Sequence, residues 1–321
     1  MRRRLFVISN PGAGLSRSTL IDDTVRALQR AGAVLTRVSP ASIDAARLAA
    51  RDAAASGSHD AIVAAGGDGT IRHVAAALID TDTPLGIIPV GTGNVLAHEI
   101  GLQTTADAVT RTLLDGPHIR VACAHANGEP FLLMAGAGFD ARILIDLNQR
   151  AKSLLGRSAY AAPLVGALFR PLDNLTIAVD GRACQANWAV ITNSCHYGGG
   201  FVLSERTSIH QRGLEAILFK ARSRVELISM LMSLARGRLA AHIAHGEVEM
   251  VTCTRVRITA GNPVPVQIDG DVVGTTPLEI DAGTSHLHLI VPPAAALASR
   301  FRSSPNVAAS VPSQRRNHKG Q

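Results

Sequence analysis

The first third of the chain alternates two hydrophobic rhythms. Short segments rich in apolar residues fall at 5–9, 34–38, 61–65 and 85–90. Between them, 18–31, 43–55 and the stretch carrying Ile71, Val74, Ala75 and Leu78 place apolar residues three to four apart. The short segments predict buried strands and the intervening stretches amphipathic helices. Strand and helix in strict alternation predict an α/β fold, a doubly wound parallel sheet with helices on both faces. Near residue 120 the texture changes. Segments 119–126, 131–135, 175–179, 183–192, 215–220, 256–260 and 264–268 read as antiparallel strands, with helical interruptions at about 142–149, 160–169 and 225–239. This predicts a β-rich, sandwich-like second domain. The expected division is an α/β domain at 1–120, a β-rich domain at 121–292, and a basic, Pro/Ala/Ser-rich tail at 293–321 whose composition predicts disorder.

In open parallel sheets, ligands bind at the carboxyl ends of the strands. Three glycine-rich loops fall there: Asn10-Pro11-Gly12-Ala13-Gly14, Gly66-Gly67-Asp68-Gly69-Thr70, and Pro89-Val90-Gly91-Thr92-Gly93-Asn94. The second is the most informative. Its glycines let backbone N–H groups approach a phosphate without obstruction by Cβ. The helix that follows adds partial positive charge. An aspartate beside phosphates needs a divalent cation to bridge them, because like charges otherwise repel. The turn therefore predicts a site for metal-bound nucleotide phosphate.

Composition sharpens this picture. The 321 residues carry 32 Lys+Arg against 25 Asp+Glu, a net +7, which suits an anionic partner such as a nucleotide or an anionic membrane surface. Aromatic residues are 3% of the chain, which argues against stacking on single-stranded nucleic acid, and no nucleic-acid partner is expected. Four scattered cysteines, without a CxxC pair or a nearby ligand cluster, read as reduced core residues of a cytosolic protein. No apolar run approaches the roughly 20 residues that span a bilayer. The expectation is a cytoplasmic protein, at most peripheral at the inner membrane face.

There is no P-loop and no protein-kinase signature. Gly136-Ala137-Gly138-Phe139-Asp140-Ala141 fits a GxGxxA pattern, but no acidic residue follows about 20 positions on, so a Rossmann site is not expected there. Taken in order, NPGAG, GGDGT, PVGTGN, GAGFDA, YGGGF (197–201) and IDGD (268–271) resemble the diacylglycerol kinase catalytic-domain family, which includes bacterial diacylglycerol, sphingosine and ceramide kinases. The resemblance covers the chain to about residue 291.

The resemblance implies ATP-dependent phosphorylation of a lipid hydroxyl in a cleft between two domains. It assigns Asn10, Pro11, Gly12, Ala13 and Gly14 to ATP, with Ser39 assisting, and Gly66, Gly67, Asp68, Gly69 and Thr70 to the phosphates. Thr92 adds a hydroxyl, Asp68 meets Mg²⁺ directly or through water, and Asp271 is the general base. It is also compatible with a homodimer. Several positions depart from the family pattern. Arg72-His73 stands where Asn-Glu is usual, and Val95 where Asp is common. Asp271 replaces a glutamate, shortening the base by roughly 1.5 Å. Gln211-Arg212-Gly213 replaces the Asp-Asp-Gly of a structural Mg²⁺ site, so that second metal is not expected.

His196, before the Tyr197 turn, reads as an ordinary loop histidine, and His242 with His245 lacks a third zinc ligand. The uncharged 158–169 segment reads as a core helix, with a membrane-leaning entrance as the second reading. The rival functions are an NAD-kinase-like enzyme and a catalytically silent lipid- or nucleotide-binding protein. The acceptor, whether diacylglycerol, a sphingoid base or another lipid alcohol, stays open.

Overall fold

The computed structural model describes residues 1–9, 15–147, 156–209, 211 and 213–293. The expected ATP loop from Asn10 to Gly14, Arg212 and the tail from 294 onward lie outside the described residues. The first part runs β1 (Arg4–Ser9), α1 (Leu15–Arg30), β2 (Val34–Val38), α2 (Ile43–Ala55), β3 (Ala61–Gly66), α3 (Asp68–Ala76) and β4 (Leu85–Pro89), then α4 (Val95–Glu99), α5 (Ala106–Asp115) and β5 (His118–Ala122). The second part begins with β6 (Ala124–Ala126), β7 (Glu129–Phe131), β8 (Met134–Ala137), α6 (Phe139–Asp146) and α7 (Ala161–Phe169). It continues through β9 (Leu175–Val179), β10 (Arg182–Ala186), β11 (Trp188–Thr192), β12 (His196–Tyr197), β13 (Phe201–Val202), β14 (Leu214–Phe219), α8 (Arg224–Ala235) and α9 (Ala240–Ala244). Its last strands are β15 (Val248–Cys253), β16 (Arg255–Ala260), β17 (Pro265–Ile268), β18 (Asp271–Thr275), β19 (Leu278–Asp281) and β20 (His286–Ile290).

The first sheet has the order β2-β1-β3-β4-β20-β5. Its first four strands are parallel, as the alternation predicts. β3 and β4 are buried at every position, because helices cover both faces. The last strand of the chain, β20, returns to this sheet, parallel to β4 and antiparallel to β5. The expected strand over 119–126 is split at buried Cys123, so that β5 ends the first sheet and β6 joins another.

The remaining strands form two antiparallel sheets, β10-β9-β16-β19-β6-β7 and β15-β14-β11-β8-β17-β18. They face each other across a core that includes Ile177, Ile191, Leu218, Ile258, Val266 and Leu278. The second of these sheets is covered on both sides. Along β11 and β14, Ala189, Ile191, Ala216 and Leu218 point into the sandwich, while Trp188, Val190, Ile217 and Phe219 pack on the opposite face. That face meets Leu227, Met230 and Leu234 of α8, which explains why Leu214–Phe219 is buried without a break. The expected 183–192 strand breaks at Asn187, whose N–H donates to Phe219 O and whose side-chain amide donates to Asp173 O.

Candidate active site

A cavity of about 860 Å³ lies between the first sheet and the sandwich. One end is formed by Ser9, Gly66 to Thr70 and Gly91 to Gly93; the other by Tyr160, Leu164, Trp188, Leu231 and Leu234. A polar, glycine-rich end is thus continuous with an apolar end.

At the polar end two turns touch backbone to backbone. A Cβ on Gly91 would sit 2.6 Å from the Cα of Gly67, closer than real Cβ atoms come. A Cβ on Gly66 would lie 2.5 Å from the Cβ of Thr70, whose side chain folds back over the turn. Asp68 opens α3 and ties the two turns together. Its Oδ2 accepts from Val95 N–H at 3.1 Å and its Oδ1 from Leu96 N–H at 3.2 Å. The carboxylate therefore caps α4, whose own Asn94, at φ 48°, makes no side-chain cap. Val95, in the place of the usual aspartate, buries its side chain and offers only its N–H. Thr92 lines the same end. Ser39 sits exposed after β2, with its Oγ 2.7 Å from that of cavity-lining Ser9.

Asp271 enters this end from the other domain. The Asp269-Gly270 turn that precedes it takes positive φ at both residues. The turn is anchored by the buried Asp269 carboxylate, which accepts N–H groups from Leu132, Leu133 and Met134, each at 2.9 Å. The Asp271 carboxylate then lies against Gly69, where a Cβ would be 2.8 Å from its Oδ2. Residues 202 positions apart are thus in contact, and glycine at 69 leaves the space the carboxylate occupies.

The departures at 72 and 73 belong to the same group. Arg72 Nη2 donates to Asp271 Oδ2 at 3.1 Å, and His73 Nε2 is 3.5 Å from the same oxygen. Arg72 also reaches His73 Nε2 at 3.1 Å. Arg47 contacts His73 Nδ1 at 3.1 Å and pairs with Glu129 at 2.7 Å. Burial pushes the Asp271 carboxyl up, but the hydrogen bonds from His73 and Arg72, with their charge, outweigh it and hold it below the usual carboxylate range. Asp271 is therefore ionised at neutral pH.

Gly136 and Gly138 of the GxGxxA pattern serve the start of α6. A Cβ on Gly136 would meet Asp140 Oδ2 at 2.8 Å, and Gly138 has φ 102°. Burial pushes the Asp140 carboxyl up to about 6, and Gln267 donates to it at 3.0 Å. His242 Nδ1–H donates to Glu247 Oε2 at 2.6 Å, and its Nε2 is 3.0 Å from Ser233 Oγ. His196 is not an ordinary loop residue: it is buried on β12 with its Nδ1 2.8 Å from Glu99 Oε2. Sequence reading missed that contact and the Arg47–Glu129 pair, because their members lie far apart in the chain. The Arg72-His73 departure was the one local signal.

Comparison with known proteins agrees with this architecture. Residues 4–126 match the diacylglycerol kinase catalytic domain, and residues 134–293 match the YegS C-terminal NAD kinase beta sandwich-like domain. A diacylglycerol kinase of Bacillus subtilis (strain 168) is 28% identical over 242 residues, 73% of this chain and 78% of that protein. A Pseudomonas putida protein named "Probable lipid kinase YegS-like" is 29% identical over 281 residues, 85% of this chain and 90% of its own length. The chain spans only 54% of an uncharacterized Synechocystis protein to which it is 29% identical. A crystal structure of a diacylglycerol kinase from Bacillus anthracis str. Sterne shares the fold, with TM-score 0.66 and 19% identity over 91% of this chain and 98% of that one. The chain belongs to the diacylglycerol kinase catalytic-domain family, among lipid kinases of the diacylglycerol and YegS type.

Proposed function

We propose that the protein phosphorylates a hydroxyl of a lipid such as diacylglycerol or a sphingoid lipid, using ATP, in the cavity between the two domains. One observation carries the reading: the ionised Asp271 of the second domain rests on Gly69 of the GGDGT turn. A carboxylate there meets the phosphate cradle and lines the same cavity as the apolar side chains.

The touching turns around Gly67 and Gly91 leave no room for side chains and present backbone to a phosphate chain. The carboxylate of Asp68 is a hard oxygen donor suited to Mg²⁺, directly or through water, and the ion when bound would neutralise phosphate charge. Asp68 holds the two turns in register through α4. Thr70 and Thr92 offer hydroxyls at the same end, with Ser39 adjoining through Ser9. Asp271, fixed by Arg72, accepts the proton of the acceptor hydroxyl as that oxygen attacks the terminal phosphorus, and ADP leaves. The apolar end, lined by Leu164, Trp188, Leu231 and Leu234, accommodates the hydrocarbon part and excludes water.

The rim of that end supports a membrane role. Phe169 of α7 is 70% exposed and Val225 of α8 is 76% exposed, with Val165, Ile228 and Met232 also on the surface. Exposed Arg222, Arg236 and Arg238 flank them. Apolar side chains ringed by arginines suit transient docking on an anionic bilayer. No helix among the described residues is long and apolar enough to cross a membrane.

The test is a lipid-acceptor screen with γ-labelled ATP, resolved by mass spectrometry. Labelled phospholipid supports the proposal. Exclusive formation of NADP favours the NAD-kinase-like alternative, and ligand binding without turnover favours a silent binder.

A further inference from the structure

Outside the cavity, α4 and β12 bring together three side chains from two parts of the chain. Glu99 Oε2, Cys195 Sγ and His196 Nδ1 lie 3.2, 3.0 and 2.8 Å from one another. They are the one group of three His, Cys, Asp or Glu donors found close enough to share an ion among the described residues. Glu99 and His196 are buried, and half-buried Cys195 leaves an approach from the surface. The surroundings orient the carboxylate: Ser194 Oγ–H and Cys195 N–H both donate to Glu99 Oε2, at 2.7 and 3.1 Å. Burial raises the Glu99 carboxyl, but hydrogen bonds from His196, Ser194 and Cys195 bring it below the usual range.

We propose that Glu99, Cys195 and His196 form a site for a borderline-soft divalent cation of the zinc type. Thiolate, imidazole and carboxylate are the donor set zinc takes, and a thiolate disfavours magnesium and calcium. Charge also fits. A dication with the Cys195 thiolate, the Glu99 carboxylate and a neutral His196 gives a site of zero net charge, the form that tolerates burial. Binding releases the Cys195 thiol proton to solvent. His196, whose Nδ1–H donates to Glu99 Oε2 in the free site, shifts its proton to Nε2 through solvent and gives the Nδ1 lone pair to the metal, while water takes the fourth position. The present separations are hydrogen-bond distances. Tetrahedral zinc with bonds of roughly 2.0–2.3 Å spreads its donors to roughly 3.3–3.6 Å, so the cluster opens by about half an ångström. Ser194 remains as the outer hydrogen bond that aims the carboxylate. The ion would join the helix after the GTGN turn to the strand before the Tyr197-Gly198-Gly199 turn. This inference does not depend on the kinase reading.

The test uses the full chain, stripped with a chelator and titrated with zinc alone against a chromogenic competitor. Cadmium in a parallel titration reports thiolate coordination through its ultraviolet charge-transfer band. The expected result is one equivalent of zinc, a cadmium–thiolate band and a raised thermal midpoint. Cys195→Ser should abolish the band, and Glu99→Gln should weaken zinc at least tenfold, while Cys184→Ser changes neither. Circular dichroism checks that each variant is folded. No stoichiometric zinc in the wild type, or a band that survives in folded Cys195→Ser, overturns the proposal and leaves the cluster as a hydrogen-bonded link between the domains.

Discussion

Replacing Arg72 with methionine isolates what the guanidinium does for Asp271. Arg72 is buried and methionine is a comparable apolar filler, so the change removes one charge and the hydrogen bonds to Asp271 and His73 without leaving a polar stub. A hydrogen bond to a charged group contributes roughly 1.5–3 kcal/mol when dry. The Asp271 side chain is 43% exposed, so screening reduces the effect to about 1 kcal/mol. That corresponds to less than about one pH unit in the carboxyl's titration. The sign follows from Asp271 being held low. Without Arg72 its carboxyl rises toward the ordinary range, the proton stays on to higher pH, and the acidic limb of kcat/KM moves up by a few tenths to about one unit. The loosened carboxylate also loses alignment, and a shift near 1 Å costs about 10²-fold, so kcat falls roughly 10- to 100-fold. ATP affinity, set by the other loops, stays near normal. The assay is kcat and KM for ATP across pH with lipid in mixed micelles, with Arg72→Lys as the charge-keeping control. An unchanged acidic limb together with unchanged kcat would refute the claim that Arg72 sets the position and charge of Asp271.

Gly69→Ala places a Cβ against the Asp271 carboxylate, so kcat should drop at least tenfold with nucleotide binding largely kept; calorimetry with a nonhydrolysable ATP analogue beside turnover checks this split. Asp68→Asn keeps shape but has one acceptor oxygen for two N–H donors, so turnover should nearly vanish and stability fall by about 1 kcal/mol, read by urea denaturation. Sedimentation with phosphatidylglycerol vesicles should weaken as salt rises and weaken further in Val225→Glu. Equal binding to neutral vesicles would remove the arginines from that picture.

The parallel half of the fold was legible because its central strands β3 and β4 are buried on both faces and read as apolar runs between amphipathic helices. The glycine-rich turns were legible because their chemistry is local. What the chain did not show was long-range pairing. Nothing in His286–Ile290 tells that it adds to β4, some 200 residues earlier, and nothing in 119–126 tells that Cys123 divides two sheets. The pairing of Arg72 with Asp271 is of the same kind. Each departure is visible alone, but only the fold shows that an arginine and a shortened carboxylate meet. Likewise Cys195-His196 looked unremarkable until Glu99 was brought to it across 96 positions.

The central claim rests on Asp271 acting across the domain junction, and single-turnover transfer of γ-phosphate to lipid tests it most directly. Wild type and Asp271→Asn should be compared at saturating ATP, with the lipid acceptor found in the screen. Asparagine keeps the size and can still accept from Arg72, so the fold and ATP binding should survive. The account predicts that wild type forms labelled phospholipid and that Asp271→Asn does so at least 10²-fold more slowly, with ATP still bound. Transfer at the wild-type rate by a folded Asp271→Asn protein would contradict it.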